Sequence, residues 1–143
     1  MKKAFSLFLL ALLLVLSLSS CRLGGLEIED YEWHMRVVAH IEEGEAVYDA
    51  VDAESATHPE AKVIEMTLLA KNGQVTITDK TNGTTYEGVY TVSGRHPGGT
   101  DYYITFDGKI GNATVAMTTY SDGREEPTLP ISLGGYSLYF YAE

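Results

Sequence analysis

The amino-acid sequence predicts an all-β protein built as an eight-stranded antiparallel up-and-down barrel, with a two-sheet β-sandwich as the alternative. Three observations lead there. Residues 31–41 carry an apolar or aromatic side chain at every second position, the period of a half-buried strand. The chain beyond residue 61 is divided by Asn-Gly, Gly-Gly and Asp-Gly pairs, which supply the positive φ that tight hairpins need. The connections are of hairpin length, so sequential strands become antiparallel neighbours. Closing eight of them into a barrel removes the two exposed edges that an open sheet would keep.

The first element lies ahead of the barrel. Lys2 and Lys3 precede a run, residues 4–18, that is apolar except for Ser6 and Ser17. This is the pattern of a helical secretory signal; it falls short of the roughly 20 apolar residues that span a bilayer, and no second such run follows. Leu18-Ser19-Ser20-Cys21 then resembles the lipobox of bacterial lipoproteins. The resemblance implies removal of residues 1–20, lipid on the sulfur of Cys21, and an extracytoplasmic place on the membrane of the bacterial cell envelope. An ordinary cleaved signal with an incidental cysteine is the alternative. Several acyl chains hold a protein on a membrane far longer than one does.

Residues 21–30, with Arg22-Leu23-Gly24-Gly25, read as the lipidated cysteine and its tether, and 31–143 as the barrel domain. Cys21 is the only cysteine, so the domain is expected to hold no disulfide, thiolate nucleophile or Cys-based metal site. It must stand on core burial. Without Lys2 and Lys3, eight cationic side chains face twenty carboxylates, a formal charge of −12. That sign disfavours nucleic acid and anionic headgroups as partners, because Lys and Arg supply such binding. It is also the sign of a merely soluble extracytoplasmic protein.

In the first strand Tyr31, Trp33, Met35, Val37, Ala39 and Ile41 form the apolar face. Residues 43–61 stay open: Val47, Ala50 and Val51 have helical spacing, and a strand through 46–48 is the other reading. Seven strand-like segments follow, 62–70, 74–79, 84–92, 101–106, 111–120, 128–133 and 136–142. Beyond the first strand, the apolar phase predicts a core of Ile64, Met66, Leu68, Val75, Ile77, Tyr86, Tyr90, Tyr102, Ile104, Phe106, Val115, Met117, Leu129, Ile131, Leu133, Tyr136, Leu138 and Phe140. Tyr103, Tyr139 and Tyr141 fall on the outward phase.

The lipobox start, a Trp in the first strand, a Glu-Glu-Gly-Glu turn leading to Val47-Tyr48-Asp49-Ala50, and a meander with Tyr86-Glu87-Gly88-Val89-Tyr90 together resemble the small lipocalin-like lipoproteins of bacteria. The lipocalin signature begins Gly-x-Trp, and here Tyr31 stands in place of its glycine, so only Trp33 carries over, as the residue that closes the base of the barrel. The resemblance implies the fold and a bias toward binding, with no catalytic residues to transfer.

Catalytic chemistry is not expected. His34 and His40 share a strand and a face, but six residues at about 3.3 Å each hold them about 20 Å apart, too far to share a metal ion. His58 and His96 each precede a proline, and no spacing links them. The acidic stretch Glu42, Glu43, Glu45, Asp49, Asp52 and Glu54, like Asp122, Glu125 and Glu126, lacks the alternating oxygens and central glycine of a calcium loop. No Gly-x-Ser-x-Gly occurs. No metal or cofactor is expected.

An eight-stranded barrel is either filled by its own side chains or holds one small ligand. The bulk of Trp33, Phe106, Phe140 and the inward tyrosines favours a filled or nearly filled interior. A cavity, if formed, is expected at the mouth, with Trp33, Tyr86, Tyr90 and Tyr102 as the ligand-binding candidates. The expected function is non-enzymatic binding of a small hydrophobic or aromatic ligand, or of an envelope partner. A closed-core interaction module is the alternative, and a hydrolase or metalloenzyme, which would need two of the histidines beside a carboxylate, is the third reading.

Overall fold

A computed structural model describes residues 25–143. The expected signal segment and Cys21 lie outside the described residues. One 3₁₀ turn, Ile28–Asp30, is followed by ten strands: β1 (Trp33–Glu42), β2 (Glu45–Val51), β3 (Lys62–Val63), β4 (Met66–Lys71), β5 (Gln74–Asp79), β6 (Thr84–His96), β7 (Gly99–Phe106), β8 (Lys109–Thr119), β9 (Glu125–Leu133) and β10 (Tyr136–Ala142). Eight of them close a barrel in the order β1, β4, β5, β6, β7, β8, β9, β10 and back to β1, every pair antiparallel. The expected barrel, and not the sandwich, is realised.

The hairpins explain the meander. Asn72-Gly73, Asp107-Gly108 and Gly134-Gly135 have positive φ at both residues, as two-residue turns between twisted strands require. Glu43-Gly44 adopts the same geometry between β1 and β2. Gly98-Gly99 works differently: Gly99 lies within β7, and a Cβ there would stand 2.0 Å from the carbonyl oxygen of Val115. Glycine is needed at 99 for close strand approach, not for its φ.

The region left open at 43–61 resolves into β2, a loop and β3. β2 pairs antiparallel with the upper half of β1. β3 runs parallel to β2, then continues through Ile64 and Glu65 into β4. β4 meets β1 only low down, Trp33 beside Leu68 and His34 beside Thr67. β2 is thus a wedge between β1 and the 62–71 segment. Eight strands circle the base, and the wall is wider above, since barrel diameter grows with strand number.

Two bulges set which side chains point inward. An extra residue in β1, Arg36, shifts the register against β10 between Met35 and Val37. Every side chain beyond it changes face. Val38, paired with Leu138 and Ala50, therefore turns inward, and the expected inward residue Val37 stands opposite outward Tyr139. On β2 the extra residue is Asp49, which breaks the alternation of that strand. On the outer face Arg36 reaches Glu126 with both guanidinium nitrogens, at 2.6 and 3.4 Å, and lies 4.2 Å over the ring of Tyr141.

Trp33, Met35, Leu68, Ile104, Val115, Leu129 and Phe140 fill the lower barrel and are almost wholly removed from water. Other inward residues end up elsewhere: Met117 is 43 % exposed, while Tyr86 and Tyr136 stand half-exposed at the rim. Among the described residues the strand ladder closes on itself around one core.

Candidate functional site

The base is shut by the chain's own N-terminal segment. Ile28 is fully buried in the core. Its amide donates to the hydroxyl oxygen of Tyr102 at 3.0 Å, and its carbonyl accepts from Trp33 Nε1 at 2.8 Å. The Tyr102 hydroxyl donates to Glu27 at 2.5 Å, and the Tyr90 hydroxyl donates to Glu29, which also accepts from the Asn72 amide at 2.7 Å. Residues 25–30, assigned to the tether from sequence, are therefore a plug belonging to the barrel.

The electrostatics follow from those bonds. Burial, aided by the Glu29 carboxylate, pushes the Tyr90 phenol up to about 12. Burial, and then Glu27, raise Tyr102 as well. The Tyr90 hydroxyl in turn holds Glu29 below the usual carboxylate range. A recess of about 630 Å³ lies beside the plug, but its polar groups are largely spent on one another, Glu27 being bonded to Tyr102 and, at 3.0 Å, to Arg95.

The four expected ligand-binding residues do not converge. Trp33, Tyr90 and Tyr102 meet at the base, where their polar atoms bind the plug, and Tyr86 alone stands at the mouth. The phase argument placed all four inward but could not say at which end, because that depends on strand stagger and on the wedge.

The mouth holds a cleft of about 520 Å³, inside the roughly 300–1,000 Å³ span of small-molecule sites. Ile77, Phe106, Leu133 and Leu138 form its walls, with Ile64 and Met66 from the segment that β2 displaces. Val38 and Ala50 face it from the wedge, and Tyr86 and Tyr136 stand at its rim. Glycine at 88 makes room for one wall: a Cβ there would sit 2.7 Å from the Phe106 ring. The expected filled interior is realised low in the barrel, and the widening leaves the upper part open.

Polar groups ring the cleft. Asp79 is buried, with one oxygen bonded to the Asn82 amide at 2.9 Å and the other to its side-chain amide at 2.7 Å. The Asn82 side chain first, then its backbone, hold the Asp79 carboxyl below its ordinary range. Asp49, at the β2 bulge, lies 2.7 Å from His40 Nδ1. That bond raises the His40 imidazole above its ordinary value. Lys62 and Lys109 complete the ring.

The histidines are dispersed. His34 lies 3.3 Å from Glu143, His40 bonds to Asp49, His58 stacks on Tyr48 with ring centres 3.6 Å apart, and His96 lies 3.7 Å from Asp101. Among the described residues no three of His, Cys, Asp and Glu are grouped so that they could hold a metal ion. No protein-family model, curated protein or solved structure matches the chain.

Proposed function

We propose that this chain is a lipid-anchored, extracytoplasmic binding protein of the bacterial cell envelope, of lipocalin-like type and without catalytic activity. It takes one small apolar or aromatic molecule in the cleft at its mouth. The observation that carries the reading is the cleft itself: about 520 Å³ with largely apolar walls, in a barrel filled elsewhere by its own side chains. The lipobox-like Leu18-Ser19-Ser20-Cys21 supports the anchor. The dispersal of the histidines, each with its own neighbour, supports a binding role over a hydrolytic one.

Two experiments test it. A neutral polarity-sensitive dye such as N-phenylnaphthylamine should brighten with residues 25–143 and stay dark with Ala50→Trp or Leu133→Trp, which fill the cleft from two different strands of its wall. Full-length chain expressed in bacteria should incorporate labelled palmitate, and Cys21→Ser should not. A dye response unchanged by both tryptophans removes the cleft as the site, and absence of label removes the anchor.

A second reading rests on the outer face of β6 to β8, where Val89, Tyr103 and Ile110 are all more than half exposed on adjoining strands. Such a patch suits contact with an envelope protein. Polar substitution of all three would abolish that contact and leave dye binding intact.

A further inference from the structure

Four large apolar side chains, Leu69, Val89, Tyr103 and Ile110, stand more than half exposed on the outer wall of β4, β6, β7 and β8. The register brings them together. Lys71, Gln74, Val89, Thr105 and Ile110 are successive cross-strand partners in one row over five strands. Leu69 and Glu87, both paired with Thr76, lie in the next row toward the mouth, and Tyr103, paired with Thr91, lies in the next row toward the base. Single proteins rarely leave a contiguous apolar patch uncovered.

Charge on this face is close to balance, in a chain whose formal charge is −10. Lys71 and Glu87 are the charged strand residues of the three rows, and Asp107 stands at the margin, in the β7–β8 turn. Neither Lys71 nor Glu87 has an oppositely charged side-chain atom within 4.0 Å among the described residues. Within one copy they are two strands apart, about 10 Å, and one row out of step. The carboxylates on the base side of the patch are already engaged. Glu29 bonds to Tyr90 and to the Asn72 amide, and Asp101 accepts from Thr114 at 2.8 Å.

We infer that this face is a two-fold contact between two copies of the chain, with Val89 and Tyr103 near its centre and Lys71 of each copy meeting Glu87 of the other. In such a contact one patch faces itself, so that residue i meets j and j meets i. A cation and a carboxylate on one patch, each without a counter-ion inside its own copy, then complete one another twice at the rim of an apolar centre. Two acidic molecules repel at long range, and a face near neutrality is where they can come together. The inference rests on the outer-face patch being a docking surface, names its partner, and is independent of the mouth cleft. Four strand spacings make the face about 20 Å across, the scale of a small interface, so the pair is weak and concentration-dependent.

The test is thiol crosslinking of the full-length chain in bacteria with a short bismaleimide, the unaltered chain, whose only cysteine is Cys21, setting the background. Thr91→Cys, beside Val89 and Tyr103, should yield a crosslinked homodimer, and Tyr139→Cys, on β10 across the ring, should stay near background. In the Thr91→Cys chain, Lys71→Glu or Glu87→Lys should each lower dimer yield roughly tenfold, since each turns two ion pairs into two repulsions. Differently tagged copies of these two variants, expressed together, should crosslink to each other at the original yield, because each supplies the charge that the other lacks. That recovery excludes misfolding as the cause of either loss. No homodimer through position 91, equal yield at 91 and 139, or no recovery in the mixed pair overturns the inference. A Thr91→Cys adduct with a different protein, and none with itself, also overturns it and leaves the patch as a docking surface. Background crosslinking of any kind at 91 removes the patch as well, while dye binding at the mouth is read separately.

Discussion

The indole nitrogen of Trp33 donates to the carbonyl of Ile28, 2.8 Å away, so the first strand of the barrel holds the plug that closes its own base. Trp33→Phe should preserve most of the apolar burial and leave that carbonyl without its donor. Loss of about 1–3 kcal/mol is expected in urea denaturation, without loss of dye binding at the far end. Trp33 is the only tryptophan and is fully buried, so its emission should be blue and resistant to acrylamide until the domain unfolds.

His40 and Asp49 tie β1 to the β2 wedge, and their bond raises the imidazole above its ordinary value. A group whose folded-state pKa is raised contributes stability that is complete below its unfolded value, about 6.5, and is lost as pH rises through the folded value. Wild type should therefore exceed His40→Gln in stability at mildly acidic pH and approach it in alkali. A constant difference across that window would place the contribution of His40 elsewhere. Glu29, held low by Tyr90, works in the opposite sense: its share is present at neutral pH and fades as acid protonates it.

Arg36 occupies a bulge and reaches Glu126, which the Tyr120 hydroxyl also bonds at 3.0 Å. Because the Glu126 side chain is only 14 % exposed, removing its partner should matter more than an ordinary surface pair does. Arg36→Met should cost about 1–2 kcal/mol, and a double-mutant cycle with Glu126→Gln should recover part of it.

Gly99 has no space for a side chain, since a Cβ would press on the Val115 carbonyl and on Ala116 of β8. Gly99→Ala should separate β7 from β8 near the base and destabilise by several kcal/mol or prevent folding, at the upper end of overpacking costs of about 1–3 kcal/mol. Gly108→Ala, in an open turn with positive φ, should be milder. Circular dichroism melts of the two variants order them.

The barrel was legible because most strands keep strict alternation and most turns carry Asn-Gly, Asp-Gly or Gly-Gly. What escaped the sequence was the consequence of single inserted residues. Arg36 moves Val37 outward and Val38 inward, and Asp49 hides β2, because a period of two has no tolerance for one extra position. The plug escaped for another reason: Ile28 sits in a short stretch with no period, and only its long-range bonds to Tyr102 and Trp33 make it part of the domain. The binding candidates were assigned by aromatic chemistry, whereas the mouth is defined mainly by aliphatic walls that strand stagger and the wedge bring together.

Gly25 enters beside Gly99 at the plugged end, so the polypeptide arrives at one pole and the cleft opens at the other. Three residues, Arg22, Leu23 and Gly24, separate Gly25 from Cys21, and the four steps between them span at most about 14 Å of extended chain. A molecule moored through that cysteine would ride close to its bilayer with its aperture turned outward. Cargo would then arrive from the aqueous side, or from a facing membrane, and not by lateral transfer out of the leaflet beneath.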